Sequence, residues 1–143
     1  MSKPHKYANS HIKIDTRLSA DRIAELTKSV GENTAAVGLN TWRAAIRFEG
    51  AELGRTNFSI RGIGNFSEMI AFHVNIVDTP TGSTARSEIE NYKTTQQTVM
   101  FIPVTPKDMV GYSAYRKFMN KLSEAVLAED SAARISIVER EGR

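Results

Sequence analysis

The chain has 143 residues, 41% of them hydrophobic and 24% charged, with a formal net charge of +3; this is the make-up of one globular domain, long enough to bury a core without staples. It contains no cysteine, which excludes disulfides, thiol catalysis and cysteine-ligated zinc and suits a reducing compartment. No apolar run approaches the ~20 residues that span a bilayer, and residues 1–7 lack the apolar core of a signal peptide, so a soluble cytoplasmic protein without a membrane partner is expected.

The positive charge is local. Lys3, Lys6, Lys13 and Arg17 are opposed only by Asp15 in the first eighteen residues, and the remainder of the chain is balanced. A neutral body is poor material for tracking phosphates, so nucleic acid is not the expected partner.

Residues 1–10 are polar, contain Pro4 and show no period; they read as a flexible tail ahead of a single domain over residues 11–143. From His11 onward Ile12, Ile14, Thr16 and Leu18 alternate with polar residues, the pattern of a half-buried strand. Ser19 offers a helix N-cap and Asp21 complements the helix dipole. Ile23, Leu26 and Val30 follow at helical spacing, and Gly31 is expected to end this short first helix in the left-handed conformation.

Five strands are expected next. Trp42, Ala44, Ile46 and Phe48 alternate, and Gly50 and Gly54 frame a turn. Thr56, Phe58 and Ile60 form a second strand. Gly62 and Gly64 precede the longest alternation, Ile70, Phe72, Val74 and Ile76. Residues 78–83 are dense in turn formers and read as a hairpin loop. A polar strand over residues 86–92 and a more apolar one over 98–104 complete the set, with Pro103 and Pro106 as the stop.

Tyr112, Tyr115, Phe118, Met119, Leu122, Ala125 and Val126 then recur at steps of three and four, a stripe too apolar to face water. Residues 134–138 alternate again. The order β-α-β-β-β-β-β-α-β, with short strand connections, predicts an α+β fold. It is a two-layer sandwich in which a curved, mostly antiparallel sheet packs on a long C-terminal helix and a short first helix.

Chemistry is sparse. His5, His11 and His73 lie far apart and none has a ligand spacing, so no metal and no cofactor are expected. Gly62-Ile63-Gly64 sits between strands, without the third glycine and following helix of a dinucleotide site. No serine occupies a nucleophile elbow. His73 is the one candidate for proton transfer. It points away from the apolar side of its strand, and placing Ile89 on the core side puts Glu88 or Glu90 across from it. Such a pair can move a proton if that face lines a cleft.

Trp42, Tyr112 and Tyr115 are the candidates for a small apolar ligand's pocket under the C-terminal helix, since their rings carry polar atoms as well. The sheet face opposite the helices would hold Arg43, Arg47, Met69, Ala71, His73, Asn75 and Val77, a mixture too apolar for full exposure and too polar for a core. Such a face marks a partner surface, including one for a second copy of the chain. The expected role is therefore a binding or self-associating domain, a homo-oligomer through the helix-free face. The competing readings are a cofactor-independent enzyme using His73 with Glu88 or Glu90, and a nucleic-acid adaptor using Arg43, Arg47 and Arg61.

Overall fold

The computed structural model describes residues 7–33, 45–52, 54–61, 68–92, 94–95, 98–99, 102–103, 108–109 and 112–139. In chain order these form β1 (His11–Thr16), α1 (Ala20–Asn33), β2 (Ala45–Glu52), β3 (Arg55–Arg61), β4 (Glu68–Thr79) and β5 (Gly82–Tyr92). Four two-residue strands follow: β6 (Thr94–Thr95), β7 (Thr98–Val99), β8 (Ile102–Pro103) and β9 (Asp108–Met109). The chain ends in α2 (Tyr112–Glu129) and β10 (Arg134–Val138).

Six strands make one open antiparallel sheet in the order β10-β1-β5-β4-β3-β2. Strands β2 to β5 are a meander. The connection through α1 carries the chain from β1 to the far edge, and the one through α2 returns it to pair with β1. Both helices lie on one sheet face: Phe118 of α2 packs on Phe58 and Phe72, and Gly31 of α1 faces the Phe58 ring. The result is the expected α+β arrangement of two helices on an antiparallel sheet.

The core follows the alternation. Ile12, Ile14, Phe58, Ile60, Ile70, Phe72 and Val74 point to the helices and are buried, as are Ile23 and Leu26 of α1. From α2, Tyr115, Phe118, Met119, Leu122 and Val126 are fully buried. At ~25 cal/mol per Å² of apolar area removed from water, this facing of stripe on sheet is the main stabilising term. Ser19 caps α1 as expected, its Oγ accepting the Arg22 N–H at 3.1 Å.

The structure differs from the sequence reading in several places. Gly31 is not a left-handed stop: α1 continues to Asn33, and the glycine lies against the Phe58 ring of β3. A Cβ there would lie 2.3 Å from Phe58 Cε1. Gly50 is not in a turn but inside β2, at a bulge in its ladder with β3; the turn itself is left to Gly54, at φ 69°. The hairpin loop expected over residues 78–83 is much tighter, because β4 runs to Thr79 and β5 starts at Gly82. Of the strand expected over residues 98–104, the described residues are not part of the six-stranded sheet and pair with each other as β7 and β8. Tyr7 to Ser10, placed with the tail, form a turn packed on the core, with Tyr7 stacked on Tyr112 at 4.2 Å between ring centroids.

Candidate functional site

The sheet face that carries neither helix is built from the residues alternating with the core set. Here the register predicted from sequence holds: Phe72 pairs with Ile89 and His73 with Glu88. A bulge follows, so that Ala71 pairs with Asn91 and Glu90 is left as the extra residue of β5. Extra residues let a strand re-aim a side chain, and Glu90 is aimed at His73.

His73 is only 4% exposed although it lies on the helix-free side. Its Nδ1 is 2.8 Å from Glu90 Oε2 and its Nε2 is 3.3 Å from Glu88 Oε1. Arg55 Nη2 lies 3.0 Å from both His73 Nδ1 and Glu90 Oε1. An arginine only donates, so the two contacts at Nδ1 exclude one another. The consistent assignment has Nδ1–H donating to Glu90 Oε2 and Arg55 donating to Glu90 Oε1. A charged ring would also donate from Nε2 to Glu88; a neutral one keeps the Glu90 bond. The hydrogen bond from His73, joined by that from Arg55, holds the Glu90 carboxyl below its ordinary range against the opposing effect of burial. Arg55 is fixed in turn by its Nε–H, which donates to Asn57 Oδ1 at 3.1 Å.

A second polar cluster lies toward the β2 edge. Ser59 donates to Glu49, while Arg61 donates to Ser59 Oγ at 3.0 Å and pairs with Glu49 at 3.4 Å. Arg47 lies 4.0 Å from the same carboxylate. Two of the arginines that suggested a nucleic-acid surface, Arg47 and Arg61, thus share Glu49, and Arg55 shares Glu90. Their field is largely neutralised at source.

The tyrosines do something else. Tyr115 is fully buried and its hydroxyl sits in an ordered chain. The Ile12 N–H donates to Ser87 Oγ at 3.0 Å, Ser87 donates to the Tyr115 oxygen at 2.6 Å, and Tyr115 donates to the Ser10 carbonyl at 2.9 Å. Tyr112 donates to Glu139 Oε1 at 3.0 Å and accepts from Ser10 Oγ at 2.7 Å. Burial pushes both phenols well above their ordinary range, so they remain protonated donors. These hydroxyls tie the chain before β1 to α2 and the end of β10, and each has its partners within the fold. Trp42, the third pocket candidate, lies outside the described residues, as do Arg43 and Gly62-Ile63-Gly64; of Met69 only the backbone is described.

A cavity of about 220 Å³ opens at the end of the sheet, between Asp15, Arg17, Thr81, Asp130, Ala132 and Arg134. Sequence reasoning missed it because it joins the β1–α1 turn, the β4–β5 hairpin and the α2–β10 turn. Asp130 belongs to the scaffold: its Oδ2 accepts the Thr16 hydroxyl at 2.7 Å and the Arg17 N–H at 2.9 Å, and its Oδ1 accepts the Ala132 N–H at 3.2 Å. His73 does not line this cavity. Among the described residues no group of three histidine or acidic side chains is arranged to hold a metal ion, and no helix is long and apolar enough to cross a membrane.

No family model, no curated protein and no solved structure matches the chain.

Proposed function

We propose that the chain is a non-catalytic binding domain whose helix-free sheet face meets a protein surface, with the His73 network at its centre. The observation that carries this reading is the near-complete burial of His73 on the side without helices, held by Glu88, Glu90 and Arg55. Fixed, internally neutralised charge beside small residues such as Ala71 makes a surface that can be covered without stranding an ion. A second copy of the chain through this face is one partner of that kind. The proposal extends to a cytoplasmic setting, which a chain without cysteine suits.

A proton-transfer role for His73 draws on the same contacts but is less well supported, since both ring nitrogens already face carboxylates and a general base needs one facing substrate. A nucleic-acid role is weaker still, because the arginines of the face share Glu49 and Glu90. A ligand pocket beneath α2 would need polar atoms that Tyr112 and Tyr115 give to Ser10, Ser87 and Glu139.

The test is native mass spectrometry and light scattering of the protein isolated from its own cells, beside Ala71→Arg. The expected result is a protein complex that Ala71→Arg loses while its circular dichroism stays native. A wild type none of whose complexes is lost with Ala71→Arg overturns the reading.

A further inference from the structure

The sheet has two edges, and they are not alike. The β2 edge is bulged between Phe48 and Gly50, a device that twists an edge away from further pairing. At the opposite edge β10 pairs with β1 in unbroken register from Asp15↔Arg134 to His11↔Val138. It contains no proline and no lysine, and its one charge is at its start. Among the described residues nothing pairs with its outer side.

The apolar cover is also incomplete there. Ile12 and Ile14 of β1 are fully buried, whereas their cross-strand partners Ile137 and Ile135 are only half-buried. Arg116 reaches Glu139 just beyond β10, which identifies the side of α2 that faces this edge. Leu127 lies eleven residues further on, three turns of helix and nearly the same azimuth, and it is 41% exposed. On the other sheet face Val138 is 36% exposed.

The strand sequence Arg134-Ile135-Ser136-Ile137-Val138 is close to symmetric about Ser136. Antiparallel pairing of two such strands around a two-fold axis at Ser136 sets Ile135 opposite Ile137 of the second copy, twice. All four isoleucines then lie on the helix side, where they extend the core across the junction. The same register sets each Val138 opposite an Arg134, whose aliphatic stem can cover it. A one-residue slip would turn the isoleucines of one strand to the wrong face. We infer that β10 is the site of self-association, by edge-to-edge antiparallel pairing with β10 of a second copy to give a continuous twelve-stranded sheet.

An axis perpendicular to the sheet puts both helix-free faces on the same side. The dimer would therefore present its proposed binding face twice, but it does not depend on that reading. A five-residue ladder is a small contact, so the association should be reversible and dependent on concentration.

Because the chain has no cysteine, a single introduced thiol can report the register. In an antiparallel pair centred on residue 136 the two Cα atoms lie ~4.5–5.5 Å apart, within reach of a disulfide. Ser136→Cys is expected to form a disulfide-linked dimer under mild oxidation. Asn75→Cys, exposed on the helix-free side of β4, is expected not to, since seven strand spacings put its two copies ~34 Å apart. Val138→Arg should raise the dimer dissociation constant at least about tenfold in sedimentation experiments, by placing arginine against arginine, with circular dichroism unchanged. Wild-type protein that stays monomeric at high concentration, together with a Ser136→Cys variant that forms no cross-link, overturns the inference. A dimer that cross-links through Asn75→Cys and not Ser136→Cys overturns it too, and assigns association to the helix-free face instead.

Discussion

Tyr115 brings a hydroxyl into the driest part of the core, and every proton in its chain of contacts has a defined direction. Replacing it with phenylalanine keeps the ring's packing on Phe72 but leaves the Ser10 carbonyl and the Ser87 hydroxyl each short of a partner. Tyr115→Phe should therefore cost about 1–3 kcal/mol in urea unfolding, the penalty of stranding buried polar groups; no measurable loss would mean that water reaches this site. Gly31 offers a prediction of opposite intuition. In an exposed helix alanine is favoured over glycine by about 1 kcal/mol. Here the added methyl would overlap the buried Phe58 ring, 2.3 Å from Cε1 and 2.9 Å from Cζ. Overpacking of that kind costs about 1–3 kcal/mol, so Gly31→Ala is expected to lower the melting temperature. A rise would show that Phe58 has room to turn aside. Glycine next to a helix end reads from sequence as a stop. Its close-contact role could not be read there, because it depends on a partner 27 positions away.

At the scale of elements, legibility followed the length of the period. The α2 stripe and the alternation of β4 were plain because they repeat over many residues, and the structure buries those side chains. The His73–Glu88 register was legible as well, since Ile89 had to share the core side. Bulges were not. One extra residue leaves no compositional mark, yet the bulge in the β4–β5 ladder both frees Glu90 for His73 and returns Tyr92 to the core side. Nothing in the composition of residues 98–104 showed that Thr98–Val99 and Ile102–Pro103 pair with each other as β7 and β8. The Tyr112 and Tyr115 contacts were hidden for another reason: their partners Ser10, Ser87 and Glu139 come from three separate segments. A direct test of the helix-on-sheet layer is Phe118→Ala. Phe118 meets both Phe58 and Phe72, at 5.5 and 5.0 Å between centroids, and truncation should cost about 3–5 kcal/mol with no change in sheet content. A loss under about half a kcal/mol would place the ring outside the core.

At the scale of the whole molecule, carboxylates tie elements together, three of them across junctions that the sheet ladders do not span. Glu139 joins the end of β10 to Arg116 and Tyr112 of α2. Asp130 joins the α2–β10 turn to the end of β1, and Glu129 joins α2 to Arg22 of α1. Glu90 joins β5 to His73 and Arg55. All four carboxyls are held below their ordinary values: Glu139 chiefly by Arg116, Asp130 by the Arg17 N–H, Glu129 by Arg22 and Glu90 by His73. The sign of the pH dependence follows. A carboxyl that is more acidic folded than unfolded releases its proton more readily in the folded state, so the unfolded chain binds more protons as the pH falls. The stability these groups contribute is complete above their ordinary values, 4.5 for the glutamates and 3.8 for Asp130, and is lost as the pH falls through their lowered folded values. The melting temperature should therefore decline steadily from below about pH 5. Glu139→Gln isolates one share of that slope. The amide oxygen can still accept from Tyr112, but the charge that Arg116 meets is gone. The variant should melt lower than wild type at pH 7, and the two curves should converge as the pH falls below the ordinary carboxyl value of 4.5 and through the lowered folded one, where the wild-type carboxyl takes up its proton. Parallel curves across that range would mean that Glu139 contributes shape and hydrogen bonding at this junction, and no charge.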